Sequence, residues 1–501
     1  MSMAGKTQIG QLCVSWGALL CSAALFTNCA IGPKYTRPSL AVPSVYKELA
    51  PDGDREWKAA HPSDAASRGN WWEPFNDPEL NRLEDRLAKS NYSIAAAAAN
   101  VQAARAVMRG ARAQYFPTIT TIPAVTNSRL STGFGQTIGR TFTTYSFPLN
   151  ASWEPDLWGR IRKTISGNSA AAQASAADLE NVRLSAQAEL AADYFQLREQ
   201  DALKELWDAL VTAYQESAAL DRDQYMAGIG SDETVAQAEA QLHSAIAQDT
   251  NLAVARAQYE HAIAVLVGEP ASTFSILAAQ WEADPPSIPA GIPSELLERR
   301  PDIASAERAV AQANAQIGIS KTAFFPILTL TASGGFENTS IAQWLQWPSR
   351  IWSVGPSLAE TLFDAGLRRA TVEQFQATYD QTVANYRQTV LTAFQEVEDY
   401  LAALRTLAGV IQQQAAAIEA AKRTFDIAKV RYEAGLDPYL NVLMASITLL
   451  ADQQTAATFE MQQMVAIVQL IKALGGGWDI SQMPSPEQLE RRNPRAFNEG
   501  N

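Results

Sequence analysis

The chain is poor in the groups that do chemistry. It has three cysteines in 501 residues, Cys13, Cys21 and Cys29, and none beyond position 29. The rest of the chain can form neither an intrachain disulfide nor a cysteine metal site. Histidine is as scarce: His61, His243 and His261, none in a metal-binding spacing. No G-x-S-x-G, no phosphate loop and no paired His–acid site occurs, so neither an enzyme nor a bound cofactor or metal is expected. Charged residues make up 19% of the chain and the net charge is −13. An acidic balance argues against a nucleic-acid partner, which would need clustered Lys and Arg. Beyond Cys29 there is also no apolar run of about 18 residues or more. The chain after that point cannot cross a membrane as a hydrophobic helix; to span at all it must use strands closed into a barrel.

What is present begins with an address. Lys6 precedes a mostly apolar stretch from Ile9 to Phe26, which ends in "LFTNCAIGPKYTRP". This reads as a secretory signal over residues 1–28, with Cys29 becoming an acylated N-terminus and 29–70 a lipidated leading segment. Ordinary cleavage near Ala23–Ala24, leaving Cys29 a thiol, is the alternative. Ala30 after the cysteine, rather than Asp, resembles a lipoprotein sorted to the outer membrane.

The chain then repeats itself. "YMAGIGSDETVAQAEAQLH" (225–243) is answered by "YEAGLDPYLNVLMASITLL" (432–450), 207 positions later. "ARAQYFPTIT" (111–120) matches "SKTAFFPILT" (320–329), and "LVGEP" (266–270) echoes "ALGGG" (473–477). The two repeats are expected at 71–283 and 296–478, joined by a Pro-rich linker at 284–295 and followed by a polar tail at 479–501, loose from Pro484 on. Each half opens with an alanine-rich helix, such as Pro78–Ala113, that stops at Phe116–Pro117 or Phe325–Pro326, because proline bars the residue before it from the helix. Alternating strands follow: "TITTIPAV" and "YSFPLNASW" in one half, "ILTLTASG" and "WSVGPSL" in the other, around loops at about 128–140 and 333–349. Pro148 and Pro356 each remove a ladder donor, which predicts local irregularity. Such strands suit one face on lipid and one on water.

No proline interrupts 159–224 or 366–432, so each half carries a helix of about 66 residues, roughly 100 Å long. Val383, Tyr386, Val390, Phe394, Val397, Leu401 and Leu404 recur at coiled-coil spacing. Each long helix ends at Tyr-x-x-Gly (Tyr225, Gly228; Tyr432, Gly435), where glycine closes the helix in the left-handed region. Ser231–Asp232 and Asp437–Pro438 are expected to supply the caps and a first-turn proline for the returning helices. Four strands cannot close a barrel with a lumen, since about eight only just do. Several copies must therefore pool their strands. Three copies, giving twelve, fit best; four are not excluded.

Taken together, "CAIGPKYTRP", "WWEPFNDPEL" (71–80), "LLERRPDIASAE" (296–307) with "AQIGISKTAFFPILTL" (315–330), and "YEAGLDPYLNVLMA" (432–445) resemble the TolC-like outer-membrane factors, in the lipoprotein branch of multidrug efflux. The resemblance spans Cys29 to about Trp478. It implies an α+β membrane protein: a homotrimer whose twelve-stranded β-barrel continues into a periplasmic α-helical barrel. The function implied is a passive drug-exit duct, working with a periplasmic adaptor and an inner-membrane, RND-type transporter. It also implies a gate at the far tip. There Leu440 is the hydrophobic gate residue, and Met444 stands where the family often has aspartate. Asp437, Asp232 and Glu233 would make an acidic mouth. Trp71 and Trp72 are expected to pin the leading segment against the helices rather than stack a ligand. Arg299, Arg300 and Asp302 are read as a helix start. A duct for secreted protein, and a coiled-coil spacer or adhesin without a lumen, are the competing functions.

Overall fold

The computed structural model describes residues 31–40, 42–48, 70–129, 141–279, 285–286 and 296–490. The expected signal, Cys29, nearly all of the first strand loop, most of the linker and the end of the tail lie outside them. The first half comprises helices α1 (Pro78–Ser90) and α2 (Tyr92–Ala113), strands β1 (Thr118–Thr121), β2 (Ala124–Arg129) and β3 (Thr141–Trp153), then α3 (Arg160–Met226) and α4 (Asp232–Leu266). The second half has a single turn, Leu296–Arg299, then α5 (Pro301–Thr322), β4 (Ile327–Asn338), β5 (Arg350–Ala359), α6 (Leu367–Glu433) and α7 (Tyr439–Ala473). The long helices α3 and α6 have 67 residues each, and the returning helices α4 and α7 have 35 each. At 1.5 Å per residue the rods are about 100 Å long.

The core lies midway along the rods, where the short helices wrap them. Leu80, Leu83 and Leu87 of α1 are fully buried with Tyr194, Phe195 and Leu197 of α3. Each such side chain contributes about 1.5–3 kcal/mol on burial. The expected seam on α6 forms: Tyr386, Val390, Phe394, Val397, Leu401 and Leu404 are all buried. Trp71 and Trp72 are buried edge to face in this core, as structural pins, and Trp71 Nε1 donates to Gln187 at 3.4 Å. Asp77 caps α1 and accepts the Tyr194 hydroxyl at 2.6 Å, tying the "WWEPFNDPEL" stretch to α3.

Four expectations need correction. The helix predicted over Pro78–Ala113 is two helices, broken at Asn91, which sits at φ −70°, ψ 121°. Its side-chain oxygen accepts from Ile94 N at 3.0 Å, and its amide donates to Leu266 O at 2.8 Å. Asn91 thus caps α2 and closes the end of α4. Secondly, the first strand is interrupted at Ile122–Pro123, while β3 and β5 run unbroken through Pro148 and Pro356. The register is continuous across the gap, with Thr121 opposite Leu149 and Ala124 opposite Ser146. The two proline-containing steps therefore face each other, and neither strand has its full set of donors there. β3 persists because β4 pairs with it on the other side. Thirdly, β4 extends to Asn338, shortening the second loop. Fourthly, the tail is not loose as far as Glu490. Pro486–Glu490 is helical, and Leu489 is fully buried against Met108 and Ala172.

Candidate functional site

The strands form one antiparallel sheet in the order β1–β3–β4–β5, with β2 beside β3. Cross-strand partners share a face. Leu149 pairs with Gly334, which pairs with Trp352; Ala151 pairs with Ala332, which pairs with Val354. One face therefore carries Ile119, Val125, Phe147, Leu149, Leu330, Val354 and Leu358, and every one of these side chains is solvent-exposed in the protomer. The other face carries Thr120, Thr144, Asn150, Thr331, Ser333 and Ser357. An apolar wall backed by a hydroxyl-rich one matches lipid outside and water inside. The sheet has two open edges, β1 with β2 on one side and β5 on the other.

The Phe-Pro steps sit where helix turns into strand. Phe116 N–H donates to Ala113 O at 3.1 Å, and β1 starts immediately after Pro117. Phe325 N–H donates to Thr322 O at 3.1 Å, and β4 starts immediately after Pro326. Trp158 stacks on Phe325 at 5.0 Å and donates to Pro326 O at 2.7 Å, bracing this elbow. From it the long helices start symmetrically. Asp156 accepts from Ile161 N and Arg162 N at 3.0 and 2.9 Å, and Asp364 accepts from Gly366 N and Arg368 N at 3.0 and 3.2 Å.

At the other end of the rods the two tips share one backbone design. Gly228 and Gly435 have φ 74° and 72°. Ile229 N–H reaches back to Gln224 O at 3.0 Å, and Leu436 N–H to Arg431 O at 2.9 Å, the closure a left-handed glycine permits. The side chains differ. Ser231 caps α4, its hydroxyl accepting from Thr234 N at 3.2 Å. Asp437 does not cap α7, contrary to expectation, and Pro438 is the N-cap rather than a first-turn residue. The Asp437 carboxylate is taken instead by the guanidinium of Arg431, which holds it below the usual carboxylate range. Asp232 and Glu233 are exposed, and neither joins an ion pair among the described residues. Leu440 and Met444, one turn apart, are about half exposed, while Val442, Leu443 and Ala445 are buried. The tip of α7 thus turns an unpacked apolar stripe away from its own protomer.

Two tip contacts escaped the sequence reading. Arg431 sits six positions before Asp437 across the glycine turn, a spacing that could have signalled the pair. Tyr439 donates its hydroxyl to Glu216, 223 positions away, for which no local signal exists. This bond to a carboxylate, aided by burial, pushes the tyrosine up to about 12. Tyr439 also packs on Tyr432 at 5.1 Å. The contact joins the hairpin of one repeat to the hairpin of the other.

Arg300 is structural. It pairs with Asp302 and Glu396 at 2.7 Å and closes α7 through Ala473 O at 3.0 Å, the role Asn91 has for α4. Asp302, in the first turn of α5, accepts from Ile303 N at 2.9 Å.

A family model described as "Outer membrane efflux protein" matches the chain twice, over residues 83–269 and 292–476. The chain belongs to the outer membrane efflux protein family. The solvent efflux pump outer membrane protein SrpC of Pseudomonas putida is 33% identical over 465 residues, covering 91% of this chain and 97% of its own. The antibiotic efflux pump outer membrane protein ArpC of Pseudomonas putida is 30% identical over 464 residues, covering 92% and 95%. Among solved structures, the outer-membrane channel OprN superposes with a TM-score of 0.80 at 29% identity, over 90% of this chain and all of that one. The duplicated protomer, its antiparallel sheet and its long helical hairpins are those of an outer membrane efflux protein. The loop end of the sheet therefore faces outward and the helical rods extend into the periplasm.

Proposed function

We propose that the chain is the passive exit duct of a tripartite efflux system for drugs or other small molecules, assembled as a homotrimer. The sheet carries the reading. One protomer offers a wall four strands wide, with an apolar outer face, a hydroxylated inner face and two open edges. Open edges are not tolerated in lipid, and about eight strands are the least that enclose an interior. Three copies join β5 of one to β1 and β2 of the next and close a twelve-stranded barrel, whose rods continue it as a helical tunnel. Relatives named for solvent, toluene and antibiotic efflux support small-molecule cargo over secreted protein. A periplasmic adaptor and an RND-type inner-membrane transporter complete the system; the chain itself supplies no chemistry.

Acylation of Cys29 fits the course of the leading segment. Ile31 N–H donates to Trp158 O at 3.2 Å, at the strand–helix elbow. The described part of the leading segment thus begins at the membrane-side end of the rods. From there the segment runs down the rods: Lys163 Nζ donates to Pro33 O at 3.1 Å, and Glu398 accepts from Lys47 N and Glu48 N at 2.8 and 3.0 Å.

At the far tip, Leu440 and Met444 narrow the closed passage, and threefold copies of Asp232 and Glu233 make a mouth that favours cations. The Tyr439–Glu216 bond, which joins the two hairpins, holds the tip shut, and Arg431–Asp437 fixes the turn that presents Tyr439. Planar-bilayer recording tests both levels. The wild-type protein is expected to form small cation-selective channels, and Leu440→Ala to raise their conductance several-fold. A protein that never conducts refutes the duct; an unchanged conductance in Leu440→Ala refutes its gate role alone.

A further inference from the structure

At the outward end of the sheet, the turn between β4 and β5 is built rather than slack. Asn338 Nδ2 donates to Ser349 Oγ at 2.6 Å, Ser349 Oγ donates to Gln343 O at 2.8 Å, and Ser340 N donates to Asn338 Oδ1 at 2.8 Å. The turn nevertheless presents Ile341, Leu345 and Trp347 to the outside, each more than 60% exposed. A polar turn in water has no reason to do this. The turn also lies over the apolar face of the sheet: Trp344 packs on Tyr145, at 6.0 Å between rings, and Tyr145 stands on the face that carries Phe147 and Leu149.

Arg350 opens β5 on that same face. It pairs in register with Phe336, two positions before Trp352 and four before Val354. A cation on the lipid side of a barrel wall is costly near mid-bilayer and tolerated only near the interface, where it finds a counter-charge. No described acid supplies one: Arg350 has no ion pair among the described residues, and Glu337, the neighbouring acid on β4, alternates to the opposite face. Its guanidinium lies over the Trp347 ring, 4.5 Å from the centroid, which holds it in place and leaves its outer edge free to donate. A guanidinium donates two parallel hydrogen bonds to a phosphate, and the exposed aliphatic and indole side chains beside it match the first methylenes of acyl chains.

We infer that Arg350, with Trp347 and the exposed side chains of this turn, is a binding site for the phosphate of an outer-leaflet glycolipid of the lipid A type, one site per protomer. The inference rests on the sheet being a barrel wall with its loop end outward; continuity with the lipid-facing surface and a rim cation, Arg350, without an ion pair among the described residues favour this occupant. The test is native mass spectrometry of the detergent-purified protein after incubation with lipid A. Parallel arms use lipid A stripped of its phosphates, and phosphatidylglycerol. Wild-type protein is expected to retain lipid A through detergent exchange. Arg350→Gln should reduce retention about tenfold and Trp347→Ala several-fold, whereas Arg109→Gln, on the exposed surface of α2, should leave it unchanged. Bilayer conductance of Arg350→Gln should equal that of wild type, which separates failure of the lipid site from failure of the pore. Equal retention by Arg350→Gln and wild type, equal retention of the phosphate-free lipid, or equal retention of phosphatidylglycerol would each overturn the assignment.

Discussion

The two tips are the same turn built from different side chains. Counting 207 positions from one repeat to the other, Gly228 answers Gly435, but Gly230 answers Asp437, Ser231 answers Pro438, Asp232 answers Tyr439 and Glu233 answers Leu440. The first tip caps its returning helix with a hydroxyl and leaves two carboxylates in water. The second gives up the side-chain cap, pairs Asp437 with Arg431, and fastens itself through Tyr439 to Glu216 of the other hairpin. Duplication preserved what backbone geometry demands, the left-handed glycine and the helix lengths, and let the rest diverge. The first tip leaves its charge exposed; the second places its polar groups in contacts within and between the hairpins.

Substitution at the shared glycines should have the largest effect and show no difference between tips. A Cβ at Gly228 or Gly435 would meet nothing within 4 Å, so only the backbone penalty operates. Gly228→Ala and Gly435→Ala should each cost about 1–2 kcal/mol in urea unfolding of the rods. A clear inequality would mean that one tip is not in this conformation.

The next test separates the tips. Tyr439→Phe removes one hydrogen bond of about 0.5–1.5 kcal/mol and should raise open probability in bilayers roughly two- to tenfold. Asp232→Asn, at the answering position, should leave open probability unchanged and weaken cation preference. Reversal of these two outcomes would assign the latch to the wrong repeat.

Ser231→Ala should cost about 1 kcal/mol or less, through the loss of a cap. Pro438→Ala, which removes no side-chain cap, should change unfolding less than Ser231→Ala does. The smallest expected response is to pH. Tyr439 is raised by Glu216 to about 12, so its contribution is complete below the ordinary tyrosine value and fades only as pH rises through about 12. Asp437 is lowered by Arg431, so its contribution is complete above the ordinary carboxylate value and fades as pH falls below it. Open probability should therefore stay flat from about pH 6 to 9. A step within that window would implicate another group, and Asp193, lifted by burial and by Glu189 to about 6, is the first to examine.

The parts legible in the sequence were those set by local rules. Proline-free length gave the rods, period-two alternation gave the faces of the sheet, and glycine after Tyr-x-x gave the turns. The break at Asn91 was harder, because α1 and α2 together read as one alanine-rich helix. Yet the Phe-Pro steps are offset by 209 positions, and the same offset sets Asn91 against Arg300, the residue before Pro301. In one half proline announces the break; in the other an asparagine makes it, because the end of α4 needs a donor for Leu266 O. The opposed gap at Pro123 and Pro148 depends on register, and the Tyr439–Glu216 bond on how two hairpins lie together. Neither is written in any window of the chain. At the membrane face, Arg350 was hidden for the same reason: alternation shows its side only once its partner, Phe336, is known.

The claim beneath all of this is that one protomer is a third of a pore wall. The mass of the protein purified from membranes in a mild detergent, measured with lipid and detergent stripped in the gas phase, tests it directly. The account predicts three chains per particle and no stable single chain. A particle of one chain, or of two, would contradict it.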